Sequence, residues 1–113
     1  MAQIQQVQPW KRWPSGDSRP IAVLPFDIVE LSKRYGLMFQ EGIDDLDSYR
    51  LAAIRLSTGA QAWLVRHDGD PNPGTVVHAD AAADVWEAQS LLLEALGIER
   101  DALLWAAPVT AIA

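Results

Sequence analysis

The segment RHDGDPNPGTVVHAD, residues 66–80, concentrates the residue types of this chain that could support chemistry. It contains both histidines of the chain, three aspartates and an asparagine. Imidazole nitrogens and carboxylate oxygens bind divalent metals, and a histidine beside a carboxylate can transfer protons. The segment therefore raises three alternatives: a metal site, an acid–base pair, or a turn between two strands.

A calcium site is the first metal alternative. Asp68, Asp70 and Asn72 alternate as the ligands at positions 1, 3 and 5 of a calcium-binding loop do. The rest of the segment departs from that pattern. The sixth position, where the loop needs glycine, is Pro73, and the twelfth, where it needs glutamate, is Ala79. Calcium binding is therefore not favoured.

A zinc or iron site would draw its ligands from the histidines and nearby carboxylates: His67, Asp68, Asp70, His78 and Asp80. Pairing the flanking strands across a seven-residue loop places the two histidines on opposite faces of the sheet. We therefore expect that they do not share a metal. A shift of one residue in the register would reverse this expectation.

Acid–base catalysis would need a histidine and a carboxylate on the same face. His67 and Asp68 are adjacent and point to opposite faces of a strand, whereas His78 and Asp80 share a face. Asp80 is, however, also expected to cap the following helix. No nucleophile elbow, phosphate-binding loop or dinucleotide fingerprint accompanies them. Because Asp, Asn, Gly and Pro favour turns, we interpret DGDPNPG as a stiff turn.

Composition limits the classes of function. The 113 residues suit one domain with a modest core. The chain has no cysteine, so it lacks disulfides and thiolate ligands, and we expect no cofactor. Its net charge of −6 disfavours binding to a nucleic acid. No apolar run reaches the roughly 18 residues of a membrane span, so we expect a cytoplasmic protein without membrane contact.

Sequence periodicity predicts two helices. FDIVELSKRYG has Asp27 as its cap, Glu30 three residues later and Gly36 at its end. AAADVWEAQSLLLEALG repeats apolar residues at helical spacing after Asp80 and ends at Gly97.

Three strands are predicted between the helices. RLAAIRLSTGAQAWLVRH indicates a hairpin with a two-residue loop, and TVVHAD a third strand. On this register Ile54 lies opposite Trp63, and Ala52 opposite Val65, on the core face. The other face combines apolar residues with two arginines, so we expect it to be partly covered.

This order of elements predicts an α+β fold. A small antiparallel sheet, a three-strand meander with an edge strand as an optional addition, is packed by two helices. Residues 1–20 are predicted to be an irregular tail and residues 21–113 a single α+β domain.

The function most favoured by the sequence is a small acidic protein-binding module without catalytic activity, such as an adaptor, an inhibitor or an immunity-type protein. Its partner would be another protein, with a basic surface to match the acidic chain. Trp63 and Trp86 are assigned to the core, and the candidate binding residues are Trp10, Trp13, Asp44, Asp45, Asp47 and Trp105. Two alternatives stay open: a small metal-dependent or acid–base enzyme at residues 67–80, and a homodimer or larger homo-oligomer associating through the open sheet face.

Overall fold

The computed structural model describes residues 4–7, 18–43 and 47–109. These residues form one antiparallel sheet and two α-helices. The strands are β1 Gln5–Gln6, β2 Ser18–Leu24, β3 Gln40–Ile43, β4 Ser48–Arg55, β5 Gln61–His67, β6 Thr75–Asp80 and β7 Trp105–Ala106. The helices are α1 Ile28–Tyr35 and α2 Val85–Leu96, and a 3₁₀ turn at Arg100–Ala102 precedes β7.

The predicted sheet, a three-strand meander with an optional edge strand, is wrong. β4, β5 and β6 do pair in sequence order, but the sheet has seven strands among the described residues. Six of them follow the order β1-β4-β5-β6-β2-β7. β3 pairs with the first half of β4, on the same edge as β1. The molecule therefore contains more sheet than helix. The strands missed from the sequence include β1 and β3, whose segments QQ and QEGI lack an alternating apolar pattern because edge strands bury little.

The predicted boundary between residues 20 and 21 stays a prediction. Within the segment expected to be irregular, the structure places Gln5–Gln6 in β1, and residues 18–20 begin β2. Both strands belong to the main sheet.

The helices begin and end at local capping signals. Asp27 Oδ1 accepts the N–H of Glu30 at 2.8 Å, as predicted, and Gly36 closes α1 with φ 67°. The second helix begins later than expected, because Asp84 rather than Asp80 accepts the N–H of Glu87. Asp80 ends β6 instead.

Both helices pack against one face of the sheet. The core between them consists mainly of aliphatic side chains from α1, α2 and the central strands: Ile21, Leu24, Leu31, Ala52, Ile54, Ala62, Leu64, Val77, Ala88, Leu92 and Leu96. Removing this apolar area from water is the principal stabilising contribution to such a fold. None of these described helices is long and apolar enough to cross a membrane.

The hairpin register differs by one residue from the predicted one. Ile54 pairs with Ala62, and Ala53 with Trp63. The N–H of Leu56 bonds to the carbonyl of Ala60, which leaves three residues in the loop and Gly59 at φ 90°. A three-residue loop ending in a left-handed glycine is a common hairpin connection. Because side chains alternate, this single residue moves Trp63 and Val65 from the expected core face to the opposite face.

The face opposite the helices, called the second face below, carries Trp63, Val65 and their cross-strand neighbours. Leu51, Ala53 and Val65 on this face are at most 1% exposed. The second face is therefore partly buried, as expected, although the residues of β5 that lie on it differ from those that the predicted register implied.

Candidate functional site

Residues 68–74 form a loop between β5 and β6 that is folded over the side chain of Arg66. The guanidinium donates hydrogen bonds to the backbone carbonyls of Asp70 at 3.1 Å, Gly74 at 2.9 Å, and Asn72. The Asp70 carboxylate accepts the N–H of Asn72 and lies 3.8 Å from the same guanidinium. The loop is thus organised by its own side chains, in agreement with the interpretation as a stiff turn.

The carboxylates of Asp47 and Asp68 join this loop to the start of β4. Asp68 accepts the hydroxyl of Ser48 at 2.5 Å, and Asp47 accepts the N–H groups of Ser48 and Gly69. A Cβ at Gly69 would lie only 2.6 Å from the Asp47 carboxylate, so this approach favours glycine. Asp47, a predicted binding residue, is therefore engaged in connecting two loops.

The two histidines lie on the same face of the sheet, which corrects the prediction that they point to opposite faces. His78 pairs with Trp63, and His67 follows Trp63 by four residues on β5, so all three project from the second face. The rings of His67 and Tyr49 have centroids 5.5 Å apart. Burial, and to a smaller extent the nearby His67, lower the pKa of His78 below its ordinary value.

The predicted metal ligands do not form a compact set. Asp68 and Asp70 belong to the β5–β6 loop, and Asp80 accepts the N–H of Ala82 at 2.8 Å in a turn. His67 and His78 lie on the second face. Over residues 4–7, 18–43 and 47–109, no group of three or more His, Cys, Asp or Glu side chains is placed to hold a metal ion.

A shallow groove of about 520 Å³ lies at the β3–β4 end of the sheet. Its lining is mixed in character: Glu41, Gly42, Ile43, Ser48, Tyr49, Arg50 and Asp68. Glu41 and Arg50 lie 3.6 Å apart, and both side chains are more than two-fifths exposed. An ion pair this exposed contributes little stability and defines no particular ligand.

Exposed apolar side chains mark the β7 end of the sheet. Trp105 is 44% exposed and its neighbour Leu104 is 52% exposed. Trp105 also terminates an apolar row that crosses five strands of the second face: Trp105, Val23, Val76, Val65 and Leu51. The row is buried at Leu51 and Val65 and becomes exposed at Trp105.

The other predicted binding residues lie outside the described residues; they are Trp10, Trp13, Asp44 and Asp45. Trp86, which was assigned to the core, is instead 53% exposed, whereas Trp63 is half-buried. One face of the Trp86 ring carries the guanidinium of Arg100, 3.8 Å from the ring centre.

A buried glutamine that sequence reasoning missed fixes the position of β7. Gln89 on α2 is 1% exposed, and its amide nitrogen donates to the carbonyls of Ile21 at 2.9 Å and Ala107 at 3.0 Å. Its oxygen accepts from Arg100 at 2.6 Å. The sequence does carry a signal for this residue. Gln89 stands between Ala88 and Leu92 within the apolar pattern of α2, and a buried polar group needs hydrogen-bond partners.

Comparison of the chain with protein-family models, curated proteins and solved structures gives no match.

Proposed function

We propose that this protein acts by binding another protein, and that the binding surface is the β7 edge, defined as residues 104–107 with the adjoining Val23. The observation that carries the proposal is the exposure of Trp105 at the end of the apolar row. Tryptophan is enriched among the residues that contribute most to the free energy of protein binding. Burying a large aromatic ring that is exposed at a sheet edge removes much apolar surface from water and so favours binding.

The environment of the carboxylates also supports a binding role over a catalytic one. Asp68, Asp70 and Asp80 each accept a hydrogen bond from a neighbouring loop or turn group. Asp47 accepts two backbone N–H groups. Carboxylates that complete turns in this way stabilise the fold, which accounts for these aspartates without a catalytic role.

Site-specific photo-crosslinking tests the proposal. A benzophenone-bearing phenylalanine replaces Trp105 in the full chain, which is illuminated in lysate of its own host. The same group at Val29, which is 56% exposed on α1, serves as the matched control. We expect one protein to crosslink from position 105 and not from position 29. Excess unlabelled wild-type chain should abolish the crosslink, and excess Trp105→Ala should not.

Two outcomes would contradict the proposal. Crosslinking from position 29 equal to that from position 105 would show that the contacts are non-specific. Equal competition by wild-type and Trp105→Ala chains would show that Trp105 contributes nothing to binding.

The enzyme alternative retains one observation in its favour, namely that His67 and His78 share the second face. His67 lies four residues, about 13 Å, along β5 from the residue that pairs with His78, so each imidazole would need further ligands from a partner or substrate to hold a metal ion. Thermal unfolding with added Zn²⁺, Mn²⁺ or Ca²⁺ tests this alternative, because a bound metal raises the unfolding temperature. An unchanged unfolding temperature with all three ions would reject metal binding by this chain alone.

A further inference from the structure

Two adjoining grooves lie between α2 and the turn that joins β4 to β5. The first follows the start of α2 and the second follows its later turns. Leu56 and Leu91 line both grooves, so the two meet there and are together called the α2 trough below. Gln89, which bonds to Ala107 beside β7, lies on the opposite side of the helix from Leu91. The α2 trough is therefore separate from the β7 edge.

The floor of the α2 trough is apolar. Leu56, Ala79 and Ala88 are buried beneath the first groove, and Leu91 is half-buried where the grooves meet. The volumes are about 150 Å³ for the first groove and about 240 Å³ for the second. Pockets for drug-sized molecules are larger, upward of roughly 300 Å³. The α2 trough therefore suits individual side chains of a polypeptide better than a bound small molecule.

The first groove, called the acidic groove below, has a negatively charged rim. Asp80, Asp84 and Glu87 line it, and all three are exposed. Among the residues that the structure describes, no basic side chain lines this groove. Arg19 reaches its margin, where it donates to the carbonyl of Ala83 at 3.2 Å. Three carboxylates against this one marginal guanidinium leave the acidic groove with an excess of negative charge.

An apolar floor with an acidic rim matches a side chain that has an apolar stem and a cationic head. Lysine and arginine lay their methylene stems on apolar surface while the charged group stays in water. The second groove adds no preference for charge, because it is lined by one acid, Glu94, and one base, Arg55. A second copy of this chain would also carry a net charge of −6, so its approach is opposed by repulsion.

The length of the α2 trough limits the form of its occupant. It follows α2 from Asp84 to Ala95, which at about 1.5 Å per residue is roughly 16 Å. An extended chain rises about 3.3 Å per residue, so about five residues span this length. A helix is about 10 Å across and is too wide for grooves of this volume.

We propose that the α2 trough binds an extended basic segment of a partner protein, with a lysine or arginine side chain in the acidic groove. The stem of that side chain covers Ala88 and Leu91, and its charged group faces Asp84 and Glu87. This surface is distinct from the β7 edge, so the inference goes beyond the proposed function and stands without it.

NMR titration of the full ¹⁵N-labelled chain tests the inference with peptides of defined charge and stem length. The probe is acetyl-Lys-Leu-Lys-Leu-Lys-amide. One matched peptide has glutamate in place of every lysine. Another has 2,4-diaminobutyrate, which keeps the ammonium group on a stem two methylenes shorter. We expect amide shifts concentrated in residues 55–61 and 83–95. Binding should be at least about tenfold weaker for the glutamate peptide and at least about threefold weaker for the diaminobutyrate peptide.

Matched protein variants locate the binding site. Asp84→Asn with Glu87→Gln removes two charges from the acidic groove and keeps the cap of α2, because asparagine also caps helices. Glu99→Gln with Asp101→Asn removes two charges at the 3₁₀ turn, outside the α2 trough. The first pair should weaken binding of the lysine peptide at least about tenfold, and the second pair less than about twofold.

Several results would overturn the inference. Equal weakening by the two pairs of variants would mean that net charge, rather than the acidic groove, attracts the peptide. Equal binding of the lysine peptide and either matched peptide, or an unchanged spectrum with millimolar lysine peptide, would exclude the proposed fit. Shifts of the trough residues with protein concentration alone would assign the surface to a second copy. Loss of binding in Trp105→Ala, with full binding by the first pair, would place the peptide at the β7 edge and support the proposed function instead.

Discussion

Gln89 of α2 accepts a hydrogen bond of 2.6 Å from Arg100 of the 3₁₀ turn. Its amide nitrogen simultaneously bonds to the backbone on both sides of the β2–β7 pairing. One buried side chain therefore links a helix, a turn and two strands. The stacking of Arg100 on Trp86 extends this linkage to an exposed surface of α2.

Gln89→Leu should lower the free energy of unfolding by about 1–3 kcal/mol, because it leaves the Ile21 and Ala107 carbonyls without their amide donor. Urea denaturation followed by circular dichroism measures the loss. Gln5→Leu, at an exposed position of β1, is the control and should change the free energy by less than about 0.5 kcal/mol. Similar losses for both variants would mean that the buried hydrogen bonds contribute little.

Gly74→Ala should destabilise the protein more than Gly59→Ala, although both glycines have nearly the same positive φ, 92° and 90°. Alanine at either position incurs backbone strain of roughly 1–3 kcal/mol. At Gly74 the added Cβ would also collide with the carbonyl of Leu24, whereas at Gly59 nothing lies within 4 Å. Thermal unfolding of the two variants measures the difference, and equal unfolding temperatures would contradict the close approach.

Arg66→Lys should lower the free energy of unfolding by about 1–3 kcal/mol, because lysine cannot reproduce the planar fork that reaches three carbonyls of the β5–β6 loop. Amide hydrogen exchange should accelerate in residues 68–74. Arg55→Lys, at an exposed position of β4, provides the comparison and should have little effect. If amide hydrogen exchange in residues 68–74 is unchanged in Arg66→Lys, a positive charge alone is sufficient to hold the loop.

His78 should make the protein less stable as the pH falls below about 6.5, the ordinary pKa of histidine. Burial lowers the pKa of His78 in the folded state, so the unfolded chain takes up the proton more readily. The stabilisation is fully present above the ordinary pKa and is lost as the pH falls through the lowered pKa. Urea denaturation between pH 7.5 and pH 5.5 measures this loss.

His78→Phe should flatten that pH dependence, since it removes the group that must remain neutral. His67→Gln removes only the smaller cause of the shift and should retain most of the dependence. If stability declines equally steeply with falling pH in wild type and in His78→Phe, titratable groups other than His78 cause the decline.

The helices could be predicted from the sequence because the residues that begin and end a helix lie close together in the chain. Asp27, Glu30 and Gly36 specify both ends of α1 within one short segment, and the structure places them as expected. The predicted cap of α2, Asp80, was wrong because Asp80 and Asp84 can both cap a helix. Asp84 is followed by the residues that enter the helix, whereas Asp80 stabilises a turn before it.

The sheet was harder to predict because its strand order depends on pairings between distant segments and its register depends on single residues in the loops. One additional residue in the 57–59 loop reversed the expected faces of β5 relative to β4. A separate one-residue difference in the pairing of β5 with β6 reversed the expected relationship of His67 to His78. The polar edge strands β1 and β3 carry no periodic signal. Trp105, a predicted binding residue, is 44% exposed, and its place at the end of the sheet follows only from the pairing of β7 with β2.

β2 lies between β6 and β7, both of which are distant from it in the sequence, whereas β4, β5 and β6 are joined by short loops. Closing long loops costs more chain entropy than closing hairpins, so we expect the β4–β6 meander to form first and β2 and β7 to join later. The β7 edge then exists only after the last pairings are made. A partner that recognises this edge would bind chains that have completed folding and would not bind partly folded ones.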